Sequence, residues 1–118
     1  VIIEYANTEE KFDECVNYLA TKEIYPIKGT CLFYAKQNDN VMACAGWNSD
    51  TGCTIDPFIT EEPLFAITLF NFMKGIIIAK GYKHIQVFCN NEKVNKRLIE
   101  REGFRVWNPS ITGLIREL

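Results

Sequence analysis

Few residues of this 118-residue chain are equipped for chemistry. Asp56 stands directly before Pro57 in a strand-like run, Cys53 to Ile59, and a carboxylate at such a chain irregularity can take up a proton. Glu4, in the opening run Val1 to Tyr5, is a second acid in a strand-like setting. The single histidine, His84, begins another run beside Lys83 and lies in no nucleophile motif, so it reads as a surface or edge residue. The cysteines are Cys15, Cys31, Cys44, Cys53 and Cys89. They form no Cys-x-x-Cys pair, and with one histidine they do not give four zinc ligands at recognisable spacing. Scattered through apolar segments, they read as small core residues in a reducing compartment. Lys93, Lys96, Arg97 and Arg101 make one helical segment partly basic, positioned to meet phosphates or an acidic partner. The interspersed Glu92, Glu100 and Glu102 favour a solvated ion-pair face instead.

The elements that would position these groups follow from periodicity. Val1 to Tyr5 reads as a strand, and Asn7 with Glu10 forms a capping-box pattern. Phe12, Cys15, Val16 and Leu19 then recur at helical spacing, making one apolar stripe. After a loop from Thr21 to Thr30 come three strands: Cys31 to Lys36, Val41 to Trp47 and Cys53 to Ile59. Short polar turns separate them, which makes an antiparallel meander the simplest topology. Proline cannot donate to a ladder, so Pro57 predicts a bulge or an unpaired stretch. Thr60 is expected to cap a second helix with Glu61, Glu62 and Pro63 in its first turn and Gly81 after its end. His84 to Cys89 is a strand, and Asn90 or Asn91 caps a helix, Glu92 to Glu102, that Gly103 stops. Phe104 to Trp107 and Ile111 to Glu117 close the chain as two strands around Asn108-Pro109-Ser110.

An apolar fraction of 47% fills a core, and 24% charged residues keep the surface wet, as in ordinary globular proteins. The length suits one domain over residues 1–118. A formal charge of −2 argues against general nucleic-acid binding, which needs excess Lys and Arg. The opening segment is too short for a secretory signal. Leu64 to Ala79, the longest apolar run, is interrupted by Asn71, Lys74 and Gly75 and falls short of a ~30 Å bilayer. These features predict no membrane span and a cytoplasmic setting.

The order strand, helix, three-strand meander, helix, strand, helix and two strands resembles the GNAT acyl-CoA N-acyltransferases over nearly the whole chain. The best local match is HIQVFCNNEKVNKRLIEREGFRVW, residues 84–107: a strand, an asparagine-bearing loop and a helix ending in Gly103-Phe104. The resemblance implies an α/β class, with a central mixed sheet of about six to seven strands flanked by helices. It further implies that acyl-CoA lies where the Cys53–Ile59 strand and a parallel His84–Cys89 strand splay apart. Phe58, Ile59, Thr60, Asn90 and Asn91 would then hold the cofactor, and Asp56, with Glu4 second, would deprotonate an amine.

The sequence also departs from that family. The glycine loop that wraps a pyrophosphate at the head of the long helix is replaced by Ile59-Thr60-Glu61-Glu62-Pro63-Leu64-Phe65, which has no glycine and no cation. Acetyl-CoA binding is therefore expected to be weak or lost. Ile99 stands four residues before Gly103, where many members place a tyrosine as general acid; Cys89 and Tyr82 are the substitutes on offer. Two functions result. One is an N-acetyltransferase-like enzyme that acylates amines. The other is a non-catalytic interaction module, in a homodimer or with another protein, similar in layout to short acetyltransferase-like proteins of tailed phages. That second reading implies host cytoplasm or virion. The helix Leu64 to Ala79 would carry the interface through some of Leu69, Phe70, Phe72, Met73, Ile76 and Ile77.

Overall fold

The computed structural model describes residues 1–49, 52–108 and 113–118. In chain order the elements are β1 (Ile2–Tyr5), α1 (Glu9–Ala20), β2 (Cys31–Gln37), β3 (Asn40–Asn48), β4 (Thr54–Thr60), α2 (Pro63–Ala79), β5 (His84–Phe88), α3 (Glu92–Arg101), β6 (Arg105–Asn108) and β7 (Gly113–Glu117). They make the expected mixed α/β architecture: one sheet in the order β1-β2-β3-β4-β5-β7-β6, with helices on both faces. β2, β3 and β4 form the predicted antiparallel meander, with β1 antiparallel along its edge. β5 joins β4 in parallel, and β7 inserts antiparallel between β5 and β6. The turn expected at Pro109-Ser110, and Asp50-Thr51 before β4, lie outside the described residues.

Side-chain alternation along each strand divides the core into two layers. On one face Leu32, Tyr34 and Cys44 pack with Cys15 and Leu19 of α1. On the other, Phe33, Ala35, Ala43, Ala45, Ile55 and Val87 pack with α2 and with Val94 and Leu98 of α3. β4 and β5 thus share one core layer with the long apolar helix α2.

Two helix starts differ from expectation. α1 is capped by Thr8, whose hydroxyl accepts from the Lys11 amide at 3.2 Å, so Asn7 stays outside the helix. α2 takes Glu62 as its cap residue, with no side-chain cap bond. Thr60 is not the cap: it is the last residue of β4, and its hydroxyl donates to the Glu62 carbonyl. Pairing of β4 with β3 carries the strand through Thr60, which leaves the helix to begin at Pro63. Of the six α2 side chains singled out above, Leu69, Phe70, Met73 and Ile77 are buried and Ile76 is half-buried. Phe72 remains 40% exposed, as do Leu64 and Ile78 to a greater degree. Among the described residues, no helix is long and apolar enough to cross a membrane.

Candidate functional site

The site begins with an extra residue in β4. Ala45 pairs with Phe58 and Trp47 with Ile55, so Gly46 alone stands opposite both Asp56 and Pro57. This is the bulge that Pro57 predicted. A Cβ on Gly46 would lie 2.6 Å from Thr30 Cγ2 and 2.7 Å from the Asp56 carbonyl oxygen, so only glycine admits the bulge here.

The bulge ends the pairing with β5. Thr54 pairs with Gln86 and Ile55 with Val87, the Gln86 amide donates to the Cys53 carbonyl at 2.8 Å, and beyond Ile55 the strands part. The predicted splay of parallel neighbours near Pro57 is present. A cavity of about 410 Å³ fills it, lined by Ile24, Asp56, Pro57, Phe58, Ile59, Phe88 and Asn90. A smaller one of about 230 Å³ adjoins it, lined by Phe58, Ile59, Thr60, Asn90 and Asn91. All five residues assigned to a cofactor from the resemblance therefore border one groove. Asn91 has a structural duty as well: its side chain caps α3, accepting from the Val94 amide at 3.1 Å. Asn95 Nδ2 donates to the Cys89 carbonyl at 2.7 Å and holds the loop between them.

The two candidate bases are separated. Asp56 is exposed at the mouth of the cleft, and partial desolvation there raises its pKa above the ordinary carboxylate value. Glu4 lies on edge strand β1, borders neither cleft cavity, and accepts hydrogen bonds from the Tyr34 hydroxyl and, at 3.1 Å, from Lys11 Nζ. Those two donors, Tyr34 first, lower its pKa, so it is a poorer base than Asp56.

At the head of α2, Glu61 is not a bare charge. Its carboxylate accepts from the Tyr18 hydroxyl at 2.8 Å and lies 3.0 Å from Lys22 Nζ. Lys22 chiefly, then Tyr18, lowers its pKa; burial and Glu61 together raise that of Tyr18. The repulsion expected from two carboxylates thus reduces mainly to Glu62, which makes no cap bond. The head of the helix still suits a diphosphate poorly. Pro63 at its first position lacks an N–H, and the nearby cation, Lys22, is engaged by Glu61.

No substitute for the missing tyrosine reaches the cleft among its described lining residues. Ile99 is 40% exposed with no proton to give. Cys89 is buried, and burial raises its thiol pKa. Tyr82 stacks edge-on against Trp47, 5.8 Å between centroids, in the layer that holds α2. His84 is exposed at the start of β5. Sequence reasoning missed Ile24 as a cleft residue, and Tyr18 and Lys22 as partners of Glu61. The signal for Ile24 was the Ile24-Tyr25-Pro26-Ile27 loop, whose apolar residues have no helical or strand period; Tyr18 and Lys22 carried none.

No family model matches the chain, and no curated protein matches it by sequence. Solved structures do match it in shape. An N-acetyltransferase from Staphylococcus aureus Mu50 is 14% identical with a TM-score of 0.70, the alignment covering 98% of this chain and 96% of that one. The aminoglycoside 6'-N-acetyltransferase from Enterococcus faecium is 10% identical with a TM-score of 0.65, covering 99% and 97%. A GNAT-family acetyltransferase from Elizabethkingia anophelis, solved with acetyl-CoA bound, is 17% identical with a TM-score of 0.62, again covering 99% and 97%. Likeness over nearly the full length of each partner, together with a splayed parallel strand pair at a bulge, gives this chain the GNAT fold.

Proposed function

We propose that the protein transfers an acyl group from a thioester to an amine, with Asp56 as the base. The observation carrying this reading is the position of Asp56: it sits on the bulge where β4 and β5 part, beside the groove that we assign to an acyl-pantetheine arm. A bound acyl-CoA would supply the activated carbonyl. Asp56 would take the proton from the acceptor ammonium, and its raised pKa makes it a stronger base than an ordinary aspartate. Phe58, Ile59 and Thr60 would lie along the arm from one side and Asn90 and Asn91 from the other. Titration with acetyl-CoA, followed by a free-thiol assay with mixed amines, tests the reading. Ligand at a thousandfold its Kd would stabilise the fold by about 4 kcal/mol. Thiol release that Asp56→Asn leaves unchanged would defeat it.

One observation favours a second reading, a protein-interaction module that no longer transfers acyl groups. Pro63 and the Tyr18–Glu61–Lys22 cluster stand where a diphosphate would need donors. Phe72, Leu64 and Ile78 are the exposed apolar residues of α2 available to a homodimer or another protein. An absence of any melting shift at millimolar acetyl-CoA, with concentration-dependent sedimentation, would favour this second reading.

A further inference from the structure

Next to the acyl groove lies a further cavity of about 430 Å³, on the other side of the bulge. Its walls are Tyr25, Pro26 and Ile27 from the α1–β2 connection, facing Asn48, Thr54 and Asp56. It shares Ile24, Asp56 and Pro57 with the cleft, so Asp56 is the charged residue that borders both. We propose that this second chamber is the acceptor site, and that it takes a primary amine with one positive charge on an apolar, aromatic-sized body. The assignment rests on the acyl-transfer reading for its purpose, though not for its binding chemistry.

Charge and exposed surface define the ligand class. Among the described residues lining the chamber, Asp56 is the only charged one. It can pair with one ammonium group, and among the described lining residues a second or third cation on the same ligand would find no further carboxylate. Glu61, the acid at the start of α2, is already engaged by Lys22 and Tyr18. The opposite wall is apolar and uncovered: Tyr25 is 73% exposed and Ile27 is 68% exposed. Large side chains held out of the core beside a cavity gain by covering an apolar ligand body, and a tyrosine offers a ring face and a polar tip. The volume is within the range of small-molecule sites. Once Asp56 takes a proton from an ammonium held there, the neutral amine nitrogen would attack the acyl carbon of a thioester in the adjoining groove; the C–S bond would break, and the thiolate would leave with the proton the new amide nitrogen sheds.

The test measures binding to the whole chain by NMR titration with no thioester present. The probes are 2-phenylethylamine, 2-phenylethanol, methylamine and spermidine. We expect 2-phenylethylamine to bind at least about tenfold more tightly than each of the others. Asp56→Asn should erase its advantage over 2-phenylethanol, and Tyr25→Ala or Ile27→Ala its advantage over methylamine. All three positions are exposed, and a wild-type-like melt verifies folding. Spermidine binding as tightly as 2-phenylethylamine, or affinities that none of the variants changes, would overturn the assignment. Selective amine binding without thiol release from acetyl-CoA would defeat the acylation reading and leave the chamber standing. Acylation with spermidine as the better acceptor would do the reverse.

Discussion

Gly46 on β3 and Pro57 on β4 occupy each other's space: a Cβ on Gly46 would fall 2.9 Å from Pro57 Cδ. The same atom would meet Thr30 Cγ2 and the Asp56 carbonyl oxygen at still shorter range. Gly46→Ala must therefore push the bulge outward or force Thr30 aside. We expect a loss of about 1–3 kcal/mol in denaturant unfolding, as for other overpacked interiors. Ligand binding in the cleft should weaken beyond what the stability loss explains. A variant as stable as wild type with unchanged cleft shifts by NMR would contradict this.

Asp56→Asn should abolish acyl transfer while leaving the fold intact. Because the base works ionised, kcat/KM of the wild type should rise with pH through the raised pKa of Asp56. Stability runs the other way. A carboxylate whose folded pKa exceeds its unfolded value costs stability when ionised, fully above the folded pKa and not at all below the ordinary value of 3.8. Asp56→Asn should thus melt slightly higher than wild type at neutral pH, with the gap closing as the pH falls toward that value. Melting curves across pH measure both halves of the claim.

Glu61→Gln should strengthen acetyl-CoA binding by severalfold, because it removes a negative charge and releases Lys22 to meet a phosphate. Glu62→Gln removes charge without releasing a cation, so its gain should be smaller. Calorimetry at two salt concentrations would separate the two, the larger gain fading more with salt. Equal affinities for both variants and wild type would mean that this end of α2 lies off the ligand's path.

Asn91→Ala removes the cap of α3 and should cost about 1 kcal/mol of stability. Asn91→Asp keeps an acceptor for the Val94 amide and should recover most of that loss. If the alanine variant also loses thioester affinity while the aspartate variant does not, the cap's role in shaping the groove is separated from side-chain contact with the ligand.

Much of this protein is legible in its residues alone because the relevant interactions are local. Helical spacing of Phe12, Cys15, Val16 and Leu19 marks α1, Asn90 or Asn91 and Gly103 bracket α3, with Asn91 the cap in the structure, and Pro57 announces a break in pairing through its missing donor. Element order follows, and with it the fold class. Cap residues were less legible: Asn7 is as well suited by type as Thr8, and Thr60 better suited than Glu62, but pairing with β3 keeps Thr60 in β4.

Tertiary structure alone decided the rest, since the deciding partners are far apart in the chain. Glu61 reads as a repelling acid in sequence, but Tyr18 and Lys22, 43 and 39 residues away, bind its carboxylate. Glu4 looks as free as Asp56 until β1 pairs with β2 and brings Tyr34 onto it, 30 residues distant. The insertion of β7 between β5 and β6 has no local signal either, because antiparallel neighbours are chosen by which edge remains open. Asp56, with Ile24 and Pro57, came to border both cavities only when the Ile24–Ile27 connection folded across the bulge, an approach that no spacing in the sequence encodes.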